Sequence, residues 1–176
     1  IARLDAEARG DVVADEFQPG ALVGGEGSAG GGFLREPVIE APVDRNYLVK
    51  HCTEEVVAFI ERNKARPFFV YLPHTMPGST AHPFSSPAFR GKSKNGDYGD
   101  SVEELDWSAG KILQALKRLG LDSNTLVIWT SDNGAVRRNP PQGSCAPYKG
   151  FGYDTSEGSM RMPCVMRWPA LRITAA

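Results

Sequence analysis

Phe68-Phe-Val-Tyr-Leu72 and Leu126-Val-Ile-Trp129 are two short apolar runs that are rich in β-branched and aromatic residues. Runs of this length and composition predict strands buried on both faces, at 67–72 and 125–130. A helical stretch separates them, so a strand, helix, strand order with a right-handed parallel crossover is expected. The sequence therefore predicts an α/β fold with a mostly parallel sheet flanked by helices.

Helical spacing of apolar residues flanks the first run on both sides. Asp44 is a candidate N-cap, and the pattern that follows it predicts a helix over 44–63. A second helix is predicted over 102–119, where apolar side chains recur every three or four residues. We expect Asp100 or Ser101 to cap the start of this second helix.

Composition divides the chain near residue 43. Residues 1–43 contain a Gly-rich stretch and three prolines, and are predicted to be a poorly structured, loop-rich segment. Residues 44–176 carry the periodic apolar patterns, which include a further strand at 163–168. We therefore expect the folded part of the chain to be 44–176.

Charge and hydropathy exclude two classes of partner. The 20 Lys and Arg balance 21 Asp and Glu, and no basic stripe suits the phosphates of a nucleic acid. No apolar run approaches the ~20 residues that span a bilayer. We therefore expect neither nucleic acid binding nor a membrane span.

Polar residues follow both predicted strands. Asp132, Asn133 and Gly134 follow the second strand, where carboxylate and amide oxygens suit Ca²⁺ or Mg²⁺. An ordinary Asx turn explains the same residues equally well. His74 follows the first strand and is a candidate proton donor or hydrogen-bond donor to an anion, with a structural role as the alternative. Because ligands bind beyond the carboxyl ends of parallel strands, we expect these residues to share one edge.

Five sequence blocks, in this order and spacing, resemble the type I sulfatases. The blocks are Pro67-Phe-Phe-Val-Tyr-Leu-Pro-His74, Phe89-Arg-Gly-Lys-Ser93, Tyr98-Gly-Asp-Ser-Val-Glu-Glu-Leu-Asp-Trp107, Thr130-Ser-Asp-Asn-Gly134 and Glu157-Gly-Ser-Met-Arg-Met-Pro163. The resemblance covers about 44–169 and is closest to the arylsulfatases and N-acetylgalactosamine-6-sulfatase-like enzymes. It implies a partial alkaline-phosphatase-like sandwich and hydrolysis of sulfate esters, such as sulfated sugars, at a formylglycine. It also implies a periplasmic, secreted or lysosomal location.

The resemblance assigns roles to individual residues. Asp132 and Asn133 match the last two calcium ligands of the family, and His74 matches the histidine that contacts the sulfate and assists the leaving group. The family's active-site lysine stands five residues before the Glu of the last block, where this chain has Gly152. Lys149, three residues earlier, is the candidate to replace it.

The resemblance also implies that part of the active site lies elsewhere. The family's nucleophile motif, Cys or Ser followed by x-Pro-x-Arg, precedes the His74 block together with the other calcium ligands, and is not found there in this chain. Cys145-Ala-Pro-Tyr-Lys149 imitates the motif, but it follows Asp132 and ends in Lys, so we do not expect it to be the nucleophile.

We therefore expect residues 44–176 to be the carboxyl-terminal part of a sulfatase catalytic domain, inactive alone, with the formylglycine supplied by an upstream segment. Two alternatives stay open. One is a phosphoric or phosphonic ester hydrolase of the same superfamily, which Asn133 argues against because those enzymes usually have histidine there. The other is an inactive truncated remnant.

Overall fold

The computed structural model describes residues 2–3 and 43–171, so nearly all of the predicted loop-rich segment 1–43 lies outside the described residues. The elements are β1 (Ala2–Arg3), α1 (Leu48–Arg62), α2 (Gly96–Arg118), β2 (Thr125–Thr130), α3 (Glu157–Met160) and β3 (Cys164–Arg167). Within the described ranges, no helix combines the length and the apolar character that crossing a membrane requires.

The start of α1 differs slightly from the prediction. Asp44 accepts a hydrogen bond from the backbone N–H of Asn46 at 2.9 Å, and so caps a single 3₁₀ turn over Arg45–Tyr47 rather than α1 itself. The helix ends at Arg62, one residue before the predicted end, and Asn63 is its C-cap. The Phe59 carbonyl accepts both the backbone N–H of Asn63, at 3.0 Å, and its side-chain amide, at 2.8 Å.

The start of α2 corrects the capping prediction. The helix begins at Gly96, so Asp100 and Ser101 lie inside it and are buried rather than capping its first turn. Asp100 instead accepts three backbone N–H groups from residues 91–93, at 2.6, 3.0 and 2.7 Å. Burial opposes ionisation of this carboxyl, but the three hydrogen bonds and the nearby Arg90 outweigh it and hold its pKa below the usual range.

The segment 67–72 is extended, but it is not the doubly buried strand that its composition predicts. Phe68 and Val70 are 3% and 2% exposed, whereas Phe69 and Tyr71 between them are 46% and 66% exposed. Within this segment, Phe69 is the one residue in a β-bridge. One face packs on the helices, in a core cluster formed by Val56, Phe59, Ile60, Phe68, Val70, Ile112, Leu116 and Leu121.

The sheet corrects the predicted strand pairing. The strand at 125–130 is confirmed as β2, and the strand predicted at 163–168 is confirmed as β3. Both β1 and β3 pair with β2 antiparallel, whereas the sequence predicted a mostly parallel sheet. The prediction took 67–72 as a parallel neighbour of β2. In the described residues, this segment contributes Phe68 and Val70 to the core, and Phe69 forms an isolated β-bridge. Val127 of β2 packs against that same core cluster, so the two segments still approach each other.

Candidate active site

The turn that follows β2 carries the predicted metal ligands. Asp132 is exposed and Asn133 is half-buried, two and three residues after the last residue of β2. The Ser131 hydroxyl donates to the Asn133 carbonyl at 3.0 Å, which fixes the turn locally. Asp132 therefore presents its carboxylate to solvent at the carboxyl end of the strand, as the sequence predicted.

Backbone contacts hold this turn against α3, the short helix that precedes β3. The Gly134 N–H donates to the Ser159 carbonyl at 2.9 Å. A Cβ at position 134 would lie 1.9 Å from the carbonyl oxygen of Gly158, closer than real Cβ contacts ever come. Only glycine fits here, because two backbones meet without side chains between them.

Gly152 makes a second close approach to the same turn. Its N–H donates to the Ala135 carbonyl at 2.8 Å. A Cβ at 152 would lie 2.6 Å from the Gly134 carbonyl oxygen and 3.0 Å from Asn133 Oδ1. The position at which the resemblance places a lysine therefore has no room for a side chain.

Lys149 reaches the neighbourhood of the turn through its backbone. Its carbonyl accepts the Gly158 N–H at 2.8 Å, and Gly158 packs on Gly134. Its side chain is exposed, so the catalytic role suggested for it stays a prediction. Cys145, in the motif rejected as a nucleophile, is half-buried, and its thiol points to the Ala135 carbonyl at 3.9 Å.

His74 lies at the same end of β2 as the turn. Its ring centroid is 6.3 Å from that of Trp129, which precedes Asp132 by three residues. Nε2 is 3.3 Å from the Ser108 hydroxyl of α2. Burial lowers the pKa of His74 from 6.5 to about 4, because a charged imidazolium loses hydration there. His74 is therefore neutral near pH 7.

Sequence reasoning missed the groups behind His74. Ser108 Oγ lies 2.6 Å from Thr53 Oγ1, and the Thr53 hydroxyl is 2.6 Å from the Val49 carbonyl. Thr53 and Ser108 are 1% and 0% exposed. The sequence did contain a signal for this pair: Thr53 in α1 and Ser108 in α2 are hydroxyl residues at buried helix positions, where an apolar residue is usual.

The donor chemistry of the turn fits a hard cation in part. Ca²⁺ takes six to eight oxygen ligands, and Asp132 and Asn133 supply one carboxylate and one amide oxygen. The described ranges contain no cluster of three or more His, Cys, Asp or Glu that forms a metal site by itself. These residues therefore suit a calcium site to which other residues also contribute.

Comparison with known proteins identifies the family of this chain. The family model described as Sulfatase matches residues 14–172. The chain belongs to the Sulfatase family. Steryl-sulfatase of Mus musculus is 43% identical over 138 residues, which are 75% of this chain and 22% of that protein. N-acetylgalactosamine-6-sulfatase of Mus musculus is 39% identical over 143 residues, 79% of this chain and 27% of that protein.

Solved sulfatase structures share the fold. One, from work on the metabolism of multiple glycosaminoglycans by Bacteroides thetaiotaomicron, is 31% identical with a TM-score of 0.66, over 73% of this chain and 28% of that one. The PsFucS1 sulfatase from Pseudoalteromonas sp. is 26% identical with a TM-score of 0.58, over 70% and 25% of the two chains. The predicted alkaline-phosphatase-like α/β class is thereby confirmed. This sulfatase chain spans about a quarter of the length of the relatives it matches.

Proposed function

We propose that this chain is part of a sulfate-ester hydrolase, in which Asp132 and Asn133 are two ligands of an active-site calcium ion. The observation that carries the proposal is the 132–134 turn, which follows β2 directly, exposes a carboxylate and is held by glycine contacts. His74 lies at the same end of the strand. The formylglycine nucleophile and the other ligands would come from polypeptide outside these 176 residues.

In this proposal, these residues compensate the negative charge of the sulfate and orient it. A bound calcium ion would neutralise the sulfate and polarise its oxygens. Asp132 brings a full negative charge to the cation, and Asn133 brings a neutral oxygen whose amide lies against Gly152. His74 is neutral near pH 7, so it brings no fixed positive charge to the sulfate.

A recess beside the turn is the place where the alcohol part of a substrate would bind. It encloses about 560 Å³, and its lining includes Arg137, Gln142 and Phe151. Arg137 lies over the Phe151 ring at 4.9 Å, and Phe151 adjoins Gly152 at the turn. The recess combines charged, amide and aromatic groups, a lining that suits the alcohol part of a sulfate ester.

The test uses the intact protein that contains this chain, supplied with calcium and assayed on an aryl sulfate and the matching aryl phosphate. Asp132→Ala should lower sulfate turnover at least about 100-fold, because the cation loses a charged ligand. It should also remove any calcium-dependent rise in melting temperature. Asp106→Ala, at an exposed carboxylate of α2, is the matched control and should change neither. Full activity in Asp132→Ala would overturn the proposal.

Gly152 favours a second candidate function, binding of the cation without hydrolysis. If the family lysine is essential, a chain with no room for it is a non-hydrolytic member of the family that retains the cation site. Such a protein would show calcium-dependent stabilisation that Asp132→Ala abolishes, but no turnover of either ester. Faster turnover of the phosphate than of the sulfate would instead favour the phosphoric ester hydrolase alternative.

A further inference from the structure

A chain of buried hydrogen bonds ends at His74. It begins at the Val49 carbonyl of α1, passes through the Thr53 and Ser108 hydroxyls, and reaches His74 Nε2. Two of its three links are 2.6 Å long and the last is 3.3 Å. Buried hydroxyls are unfavourable unless they are hydrogen-bonded, and these two are satisfied only through one another, the helix carbonyl and the imidazole.

The donor and the acceptor of each of these hydrogen bonds follow from the number of protons that each group carries. A carbonyl oxygen only accepts, so the Thr53 hydroxyl donates its one proton to Val49. Thr53 then has only lone pairs left, so Ser108 must donate its own proton to Thr53. Ser108 in turn has only lone pairs left for the imidazole. His74 must therefore donate from Nε2, which is possible only when Nε2 carries the proton.

We propose that Thr53 and Ser108 are positioning residues that hold His74 as the Nε2–H tautomer and leave Nδ1 as its accepting nitrogen. Among the described residues, no hydrogen-bond partner of Nδ1 is found. In a neutral Nε2–H imidazole, Nδ1 carries a lone pair and acts as an acceptor. The meaning of this for catalysis rests on the proposed function, but the tautomer itself does not.

The same counting predicts what happens when one hydroxyl is removed. In Thr53→Val the Ser108 proton loses its acceptor and can turn to His74 Nε2, which then becomes the accepting nitrogen. The proton of the imidazole moves to Nδ1. Thr53→Ser keeps the hydroxyl and should keep the wild-type tautomer, so the two variants separate the hydroxyl from the methyl group at position 53.

The experiment is long-range ¹⁵N–¹H spectroscopy of the histidine-labelled chain near pH 7. The sequence has three histidines, and His51 and His82 serve as internal references. We expect His74 to be Nε2–H in the wild type and in Thr53→Ser. In Thr53→Val the ratio of Nε2–H to Nδ1–H should fall by about fivefold or more, the scale of one net hydrogen bond. If Thr53→Val does not fold, Ser108→Ala should lower the same ratio.

Two results would overturn the inference: an Nδ1–H tautomer in the wild type, or an unchanged ratio in the folded variant that lacks the hydroxyl. Its failure is distinguishable from that of the proposed function, since the spectra need neither calcium nor substrate. If the intact protein is active, Thr53→Val should lower kcat with little change in KM, and Thr53→Ser should retain kcat. A tautomer switch without a change in kcat would refute the catalytic role of His74, but it would still support control of the tautomer by Thr53 and Ser108.

Discussion

Gly152→Ala tests whether the turn that carries Asp132 is held by backbone contacts. The new methyl group would lie 2.6 Å from the Gly134 carbonyl oxygen and 3.0 Å from Asn133 Oδ1. The nearer atom belongs to the backbone and cannot rotate away, so the loop or the turn must shift. Gly134→Ala is more severe, because its Cβ would lie 1.9 Å from the carbonyl oxygen of Gly158.

The expected cost follows from the size of these overlaps. Inserting a methyl group into a packed site typically costs about 1–3 kcal/mol. In a chain of this size, that loss lowers the melting temperature by roughly 2–12 °C. Gly134→Ala should lie at or beyond the upper end of the range, and Gly152→Ala should lie within it.

Gly110→Ala is the matched control. Gly110 lies inside α2, with no atom within 4 Å of the position that its Cβ would take. The same substitution should therefore stabilise the protein there by about 0.5–1 kcal/mol, because alanine favours helix. Urea unfolding followed by circular dichroism measures all three variants. If Gly152→Ala and Gly110→Ala shift the midpoint in the same direction, the close approach of loop and turn is refuted.

Three further predictions concern Asp100, His74 and Lys149. Asp100→Asn should lower the free energy of unfolding by about 1–3 kcal/mol at pH 7, because a charged acceptor of three N–H groups is lost. Since the folded pKa of Asp100 is lowered, its contribution is present above about pH 4 and is lost as the pH falls through the folded value, which acid titration of both proteins will show. The folded pKa of His74, about 4, is also below its unfolded value, so the unfolded chain binds the proton first as the pH falls. The free energy of unfolding should therefore fall by up to about 3 kcal/mol from pH 6.5 to 4. His74→Gln should remove this pH dependence, as measured by urea unfolding over the same range. Lys149→Ala should leave the melting temperature unchanged but, if Lys149 replaces the family lysine, lower turnover of the intact protein at least about 100-fold; unaltered turnover would exclude that role.

Local patterns in the sequence predicted the type of most elements. The β-branched and aromatic run at 125–130 is a strand, and the regular apolar spacing at 102–119 is a helix. These signals act within a few residues, so they can be recognised without knowledge of the tertiary contacts. Strand pairing, in contrast, depends on residues that are far apart in the sequence. The antiparallel partners of β2 lie at the two ends of the described chain, so no pattern local to β2 identifies them.

The candidate site was predictable where residue type and position coincide. Asp132 and Asn133 lie just past a strand, as their order in the sequence indicates. The capping role given to Asp100 was wrong because its carboxylate binds the N–H groups of a loop that precedes the helix, a contact that a helix-local rule does not contain. The partnership of Thr53 with Ser108 joins residues 55 positions apart, so only the packing of α1 on α2 reveals it.

The contact between Gly152 and the turn also limits which residues position 152 can hold. A lysine there would drive its Cβ into the carbonyl of Gly134 before the amine could reach any ligand. A positive charge beside the turn therefore has to come from another position, unless the neighbouring loop first widens.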